Sequence, residues 1–319
     1  MITRSSALAL CFVLSACASS PKPAPTVQGI CQIPQPERAG ALLPMRPEDW
    51  MRLLLITEQN GPARIAQLMC SEEPIEHKPL PSACEVQTTD PGVPEPVPLT
   101  EASVVERILP EKRRLVWIMT HRFPNGDGFG PVAAVTLADG KAVIGSLGLL
   151  RLRPERVDLN LWEIGRETVL MGAGESCTLP GNASTCRRAA TLLVFDRGRF
   201  RTAPIQRTGT RECIDAPWVE LKREADLSLE NGWNRHMRIM ASVDHDQRYV
   251  VITEQVDVAD TDPSHPDVPA RDVRRIDTER FIHVEQGQLF TRQAPLWPRI
   301  IPTQGLLQLD DAREAGSAR

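Results

Sequence analysis

Alternation of apolar and polar residues between glycine-containing turns is the feature of this 319-residue chain that most limits its fold. Val157, Leu159 and Leu161 are separated by polar residues, which is the period-two pattern of a strand with one buried face. Asp139-Gly140 lies between two apolar segments and is a strong signal for a tight hairpin turn. Segments with strand character recur at 115–119, 131–137, 141–150, 157–161, 168–171, 191–195, 218–221, 237–241, 250–254, 281–284 and 289–290.

The spacing of these segments narrows the fold class. Predicted turns at Gly140, Gly198, Gly232 and Gly287 are unevenly spaced, which argues against a repeat array or propeller. The strands do not alternate with helical segments, so a parallel sheet is not expected. We therefore expect a mainly β fold, in which an antiparallel meander of about ten strands forms a sandwich or a partly closed barrel.

The stretch 46–110, which precedes most of the strands, predicts a small helical N-terminal part. Pro47 and the two acidic residues after it suit the first turn of a helix. Residues 63–69 form a second helical candidate, and Thr100 is a suitable cap for a short helix that ends before Pro110.

A long loop is expected inside this part of the chain, because the segment 73–98 contains seven prolines. Proline lacks the backbone donor that helices and internal strands require. The helical part and the strands together predict a single β-rich globular domain over 46–309, which is a suitable length for one large domain. Residues 310–319 are expected to form a frayed tail.

The N-terminus has the character of an export signal. A single positive charge precedes an apolar run at 7–14, and this run is shorter than the ~20 residues that a transmembrane helix needs. Its length is that of a secretory signal. The run ends in Leu14-Ser15-Ala16-Cys17, which resembles the bacterial lipobox, a leucine and two small residues before an invariant cysteine.

This resemblance implies a lipoprotein. Residues 1–16 would be the signal peptide, and Cys17 would become the mature N-terminus with a diacylglyceryl thioether and an N-acyl chain such as palmitate. At ~0.8 kcal/mol per buried methylene, three chains hold a protein firmly on a membrane. Ala18 after the cysteine implies the outer membrane, facing the periplasm or the cell surface. Prolines in the 17–45 segment predict a semi-rigid tether.

Cysteine content agrees with export. Of the eight cysteines, Cys11 would leave with the signal peptide and Cys17 would be acylated, so six remain. An even number in an oxidising compartment is consistent with three disulfides, and six cysteines allow 15 connectivities. Spacing favours the pairs Cys177–Cys186, Cys70–Cys84 and Cys31–Cys213. A zinc site is the alternative, but no C-x-x-C pair supports it.

Two acidic segments are candidate cation sites. Asp257, Asp260, Asp262 and Asp267 could supply the oxygen ligands that Ca²⁺ prefers. Prolines within that segment favour an exposed, solvated connection between strands instead. The glycine-rich segment 124–128 has part of a calcium-loop pattern but favours a turn. We therefore assign no metal and no cofactor.

No catalytic residue can be assigned from the sequence. His236 and His245 lie near aspartates, but a Ser-His-Asp hydrolase also needs a nucleophile elbow of the type G-x-S-x-G. The segment 145–148 resembles such an elbow only superficially, because it lies inside a predicted strand. Cysteines that form disulfides cannot serve as nucleophiles.

Arginines form the last group of candidates. Alternating arginines more often mark the solvent side of a strand, and a site for an anionic envelope polymer is the alternative. The residues concerned are Arg151, Arg153, Arg156, Arg271, Arg274 and Arg275.

Charge and composition limit the remaining functions. The formal net charge is −4, so the chain lacks the basic excess that nucleic-acid binding requires. We expect a non-enzymatic, lipid-anchored binding or assembly module of the cell envelope, with membrane lipid and an envelope protein or polymer as partners. The alternative is a hydrolase of an envelope polymer, whose carboxylates or histidines only the fold would bring together.

Overall fold

The structure is a computed structural model, and it describes the residues 31–34, 45–57, 65–68, 70, 71, 74–80, 84, 92–111, 113–178 and 185–300. The predicted signal peptide, Cys17, most of the tether and the tail at 310–319 lie outside these described residues. No helix in the described part is long and apolar enough to cross a membrane.

Helices are few and short. Within the described residues, the α-helices are α1 (Pro47–Leu54) and α2 (Trp297–Ile300), and a 3₁₀ turn covers Glu101–Ser103. The strands, in chain order, are β1 (Cys31–Pro34), β2 (Leu55–Thr57), β3 (Ile65–Leu68), β4 (Glu95–Pro96), β5 (Val104–Ile108), β6 (Arg113–Ile118), β7 (His121–Arg122), β8 (Gly128–Ala138), β9 (Lys141–Leu152), β10 (Glu155–Ile164), β11 (Glu167–Thr178), β12 (Thr185–Asp196), β13 (Arg199–Arg201), β14 (Ile205–Arg207), β15 (Cys213–Asp215), β16 (Trp218–Ser228), β17 (Asn234–His245), β18 (Tyr249–Thr261), β19 (Arg271–Glu285) and β20 (Gln288–Thr291).

The predicted hairpin between β8 and β9 shows how local sequence sets the meander. Asp139 and Gly140 both have positive φ, at 50° and 70°. Two consecutive residues in this region define the turn type whose twist matches that of paired strands, and aspartate followed by glycine tolerates it best. The turns predicted at Gly198, Gly232 and Gly287 are also present.

Eight strands curve around one apolar interior, in the order β5-β6-β8-β9-β13-β12-β11-β10. Each of them contributes side chains to a cluster that includes Trp117, Leu150 and Leu159. The described backbone contains no pairing between β5 and β10, whose side chains instead meet through Arg107 and Asp158, 3.8 Å apart. The large sheet is therefore not closed into a barrel.

The same large sheet folds back and packs on the outside of this curved wall. This part, which we call the second sheet, continues from β12 in the order β16-β17-β18-β19-β20-β14-β15. Apolar residues such as Leu192 from the wall and Ile252 and Ile282 from the second sheet are fully buried between them. The outer half of the second sheet is covered by α2, where Trp297 packs on Met237.

Alternation along the strands explains why both faces of the wall are buried. In β6, Trp117 points into the curved interior, whereas Val116 and Ile118 point outward. The outward pair packs with Trp50 and Leu53 of α1. Apolar residues on both faces of β6 are therefore needed, because a helix covers the side that would otherwise meet solvent.

The prediction of a mainly β fold with a small helical N-terminal part is confirmed. Most pairings are antiparallel, as expected, and the parallel exceptions are the short contacts of β13 with β9 and of β14 with β20. The helix that begins at Pro47 is also confirmed.

Three local expectations are wrong. Ile65–Leu68 is a strand rather than a helix, because it pairs with β2. The segment after Thr100 forms only one 3₁₀ turn before β5, whose Val104 and Val105 pair with β6. Cys31–Pro34, which lies in the predicted tether, is a strand that pairs with β9. In each case a partner strand outweighs weak local propensity.

The six cysteines form three disulfides, but only one pair is as predicted. Cys177–Cys186 joins directly opposite residues of β11 and β12. The other bridges are Cys31–Cys70 and Cys84–Cys213, so the predicted Cys70–Cys84 and Cys31–Cys213 pairs are wrong. Spacing misleads here, because sheet pairing brings distant segments together and fixes which sulfurs meet.

Removal of Cys84–Cys213 should destabilise the fold more than removal of Cys177–Cys186. The first bridge spans 129 residues and the second spans 9. Chain-entropy arguments give about 5 kcal/mol for the long loop and about 3 kcal/mol for the short one. The double variants Cys84→Ala/Cys213→Ala and Cys177→Ala/Cys186→Ala, compared by urea denaturation, measure the difference. A larger loss for the short-loop variant would contradict this ranking.

Gly174→Ala should also destabilise the protein. Gly174 in β11 packs against the backbone after β9, where an added Cβ would lie 1.9 Å from the carbonyl oxygen of Arg153. Backbone cannot move aside as a side chain can, so we expect a loss of about 1–3 kcal/mol or more. Tryptophan fluorescence during urea denaturation provides the measurement. Ser176→Ala in the same strand is the control and should cost less than about 0.5 kcal/mol.

Candidate functional site

The candidate site lies beside one edge of β12, where the end of β9 comes close to the start of β16. On that edge, residues 194–196 pair with β13, and residues 188–191 pair with β16. β13 in turn pairs with β9 at residues 147–148. Beyond this point the end of β9 contacts the start of β16 through side chains. We call this cluster the arginine junction, and its members are Asp127, Arg151, Arg153, Arg187, Trp218 and Glu220.

Asp127 forms one half of the junction. Its carboxylate is buried in the turn before β8, and its Oδ2 accepts hydrogen bonds from Nε and Nη2 of Arg151 at 2.8 and 2.5 Å. Asn125 bonds the same carboxylate and also accepts the Asp127 backbone N–H at 3.0 Å. The glycine-rich segment is therefore a turn, as expected, and its acidic side chain is bound to an arginine.

Glu220 forms the other half. Nη2 of Arg153 donates to both of its carboxylate oxygens, at 2.9 and 3.0 Å. Arg187 and the indole of Trp218 each donate to Oε1 at 3.3 Å. Three donors from three different positions thus converge on one carboxylate. Burial lowers the pKa of Arg153, whereas Glu220 and Asp127 raise it and the nearby Arg187 lowers it.

Aromatic rings cover the two buried guanidinium groups. The Cζ atom of Arg151 lies 4.6 Å from the ring centroid of Trp218 and 5.0 Å from that of Phe123. Arg153 lies 5.6 Å from the same tryptophan. Such stacking stabilises a desolvated cation and holds its plane in one orientation.

The backbone that carries these arginines is also fixed. Thr191 of β12 donates its hydroxyl to the carbonyl oxygen of Arg151 at 2.8 Å. Close packing on Gly174 positions the backbone of Arg153. The junction is consequently a rigid set of hydrogen-bond donors and one stacked aromatic, which is suited to binding an anionic group.

A second charge cluster lies inside the second sheet. Arg280 of β19 has a side chain that is 1% exposed, and it lies between Asp215 of β15 and Glu254 of β18. Its Nη1 donates to Asp215 at 3.0 Å, and its Nε lies 3.0 Å from Glu254. Glu254 also accepts the backbone N–H of Leu296, next to α2, at 3.2 Å. The cluster therefore links three strands and the C-terminal helix.

This enclosed pair of carboxylates is the closest match to what a hydrolase would need. Burial raises the pKa of Asp215 to about 6, although Arg280 acts in the opposite direction. The side chains of Asp215 and Glu254 are only 5% and 4% exposed, so a polymer substrate has no contact with them. Their arrangement indicates a structural role.

Three of the four predicted acidic cation candidates, Asp257, Asp260 and Asp262, have protein partners. Asp257 pairs with Arg275 at 2.8 Å, and Asp260 pairs with the two donor atoms of Arg235 at 2.6 Å each. These hydrogen bonds lower the pKa of both aspartates. Asp260 is buried beside β17, which places it away from the outward-facing Asp257.

The other two aspartates lie in the connection after β18. Asp262 accepts hydrogen bonds from the backbone of Ser264 at 2.9 Å and from His265 at 2.9 Å, whereas Asp267 is exposed. Among the described residues, a three-ligand group of metal-binding type occurs at Glu175, Cys177 and Cys186. Both of its sulfurs belong to a disulfide and are not thiolate ligands.

The predicted arginine face is not one surface. Arg151 and Arg153 turn inward into the junction, whereas Arg156 is 82% exposed and pairs with Glu175. Arg271 stacks on Trp233, far along the second sheet, and Arg275 pairs with Asp257. Arg274 is exposed in β19. Only the first two arginines of the predicted set therefore act together.

The predicted histidine and serine candidates do not form a triad in the described structure. His236 contacts Asp226 at 2.7 Å on the outer face of the second sheet. His245 stacks on Trp162 at 4.8 Å. Ser146 is buried within β9, as expected for a residue inside a strand.

Four members of the junction were not predicted as site residues, namely Asp127, Arg187, Trp218 and Glu220. Trp218 and Glu220 share one face of β16 because they are two residues apart. The local signal for this pair was a tryptophan two residues before a glutamate, at the start of a predicted strand. Their partners on β9 lie more than sixty residues away in the chain.

Comparison with protein-family models, with curated proteins and with solved structures gives no match.

Asp215→Asn should change how stability depends on pH. The folded-state pKa of Asp215 is raised to about 6, so the folded protein binds this proton more tightly than the unfolded chain does. This group therefore makes stability fall as pH rises from about 4 to about 6, by up to about 3 kcal/mol. Asparagine cannot titrate, and the variant should lack this contribution.

Urea denaturation between about pH 4 and about pH 7 measures the effect as the stability difference between wild type and variant. Relative to wild type, Asp215→Asn should become more stable as pH rises. Glu230→Gln at an exposed position is the control and should give a constant difference. A pH-independent difference for Asp215→Asn would refute the assignment.

Proposed function

We propose that this chain is a lipoprotein of the bacterial cell envelope, held at the outer membrane by acyl chains on Cys17 and acting as a non-enzymatic binding or assembly module. The observation that carries the anchor is the motif Leu14-Ser15-Ala16-Cys17 at the end of a short apolar run. Cys17 lies outside the described residues, so this part of the proposal depends on sequence.

Three disulfides among the described residues support an exported protein. Structural disulfides persist in oxidising compartments such as the periplasm and are rare in the cytosol. The bridges Cys31–Cys70, Cys84–Cys213 and Cys177–Cys186 use all six cysteines that would remain beside the acylated one.

The use of charged side chains supports binding rather than catalysis. A general acid or base must exchange a proton with a substrate that it touches. The carboxylates of Asp127 and Glu220 are held by arginines, and those of Asp215 and Glu254 are enclosed. The junction instead presents positioned donors on a rigid sheet, which is the form of a recognition site. No observation specifically favours the hydrolase alternative.

Replacement of Cys17 by serine should remove the lipid anchor. With an alkyne fatty acid supplied to growing cells, wild-type protein is expected to be labelled and to fractionate with the outer membrane. Cys17→Ser should be unlabelled, because serine lacks the sulfur that forms the thioether, and it should lose outer-membrane fractionation.

Cys11→Ser is the matched control, since Cys11 lies inside the apolar run and has no role in the motif. It should be labelled like wild type. Unlabelled wild-type protein, or equal labelling of Cys17→Ser, would overturn the proposed anchor.

A further inference from the structure

The arginine junction contains more positive than negative charge. Arg151, Arg153 and Arg187 are arranged around two carboxylates, Asp127 and Glu220, so three cations face two anions. An additional anion would neutralise this excess of positive charge.

One buried donor in the junction has no acceptor. The Arg153 side chain is 4% exposed, and its Nη1 has no hydrogen-bond partner among the described residues. Nη2 of the same guanidinium donates to Glu220. A buried charged donor without an acceptor is costly, and native structures nearly always satisfy such groups. The unpaired donor therefore points to a missing acceptor beside Glu220.

The exposed side of the junction is at Arg187. The side chain of Arg187 is 52% exposed, whereas those of Glu220 and Arg151 are 19% and 17% exposed. A ligand that approaches along Arg187 would meet this exposed guanidinium first and the buried side chain of Arg153 next. The ring centroid of Trp218 lies 4.6 Å from Cζ of Arg151 and 5.6 Å from Cζ of Arg153.

We propose that the arginine junction binds a phosphoryl group of an envelope molecule, with Arg153 and Arg187 as its donors. Guanidinium groups match phosphate oxygens in a planar fork, and two of them can bind one tetrahedral anion from different sides. A phosphoryl group also supplies the negative charge that the cluster lacks. This inference rests on the proposed role as a binding module, but it does not require the lipid anchor.

Isothermal titration calorimetry on the full chain in neutral detergent tests the site. Inorganic phosphate and glucose 1-phosphate are the two probes, and sodium chloride at equal ionic strength is the reference, because screening alone changes surface electrostatics. Saturable binding of either probe is expected. Tighter binding of glucose 1-phosphate would identify a sugar phosphate as the source, and equal binding would identify free phosphate.

Arg187→Gln should weaken phosphoryl binding by about tenfold or more, because it removes a charge-assisted donor. Its exposure means that the melting temperature without ligand should stay within about 2 °C of wild type. Arg188→Gln is the matched control, since Arg188 is the exposed neighbour in the same strand and lies outside the junction. Its affinity should stay within about twofold of wild type.

Two results would overturn the site. One is a binding heat, for both phosphate probes, that does not differ from the heat measured with sodium chloride. The other is an equal loss of affinity in Arg187→Gln and Arg188→Gln, which would indicate a general charge effect. If neither probe binds but Cys17 is labelled, the phosphoryl site is refuted and the lipid anchor stands. If a probe binds but Cys17 is not labelled, the lipid anchor is refuted and the phosphoryl site stands.

Discussion

In this fold, side-chain ion pairs connect neighbouring strands at the place where backbone pairing between them ends. β12 has β11 on one edge, and β13 and β16 share its other edge. The end of β9 is still paired with β8, but among the described residues it has no backbone partner strand on its opposite edge. Arg151 and Arg153 fill this place by bonding Asp127 and Glu220. The curved wall and the second sheet thus keep one relative position, because charged groups at their boundary are buried only when paired.

Arginines paired with carboxylates occur in two buried clusters of this fold. Arg280 is enclosed between Asp215 and Glu254 in the second sheet, and Arg153 is buried at the boundary between sheets. Loss of one partner from a buried pair typically costs about 3–5 kcal/mol, because the other charge is left unpaired. The enclosed cluster has more acid than base, whereas the boundary cluster has more base than acid. This difference separates the structural role of the enclosed cluster from the binding role that we propose for the junction.

Alternation and turn residues predict most of the strands from β6 onward, because these strands show local periodicity, whereas the short strands β7, β13, β14 and β15 were not predicted. The strands β1, β3 and β5 could not be predicted in this way, since their stability comes from partners far along the chain. The prediction of disulfide pairing fails for the same reason, because the fold brings Cys84 next to Cys213 although the two are far apart in the chain. The junction combines residues from four separate segments, so only Arg151 and Arg153 were visible as a pattern.

The long Cys84–Cys213 bridge orders the events of maturation. A chain that emerges from its N-terminus can join Cys31 to Cys70 early, whereas Cys84 has to wait for 129 further residues before its partner arrives. During that interval its thiol can exchange with the neighbouring bridge. Correct pairing therefore requires that the Cys84 thiol stays reduced until the segment that contains Cys213 has been synthesised.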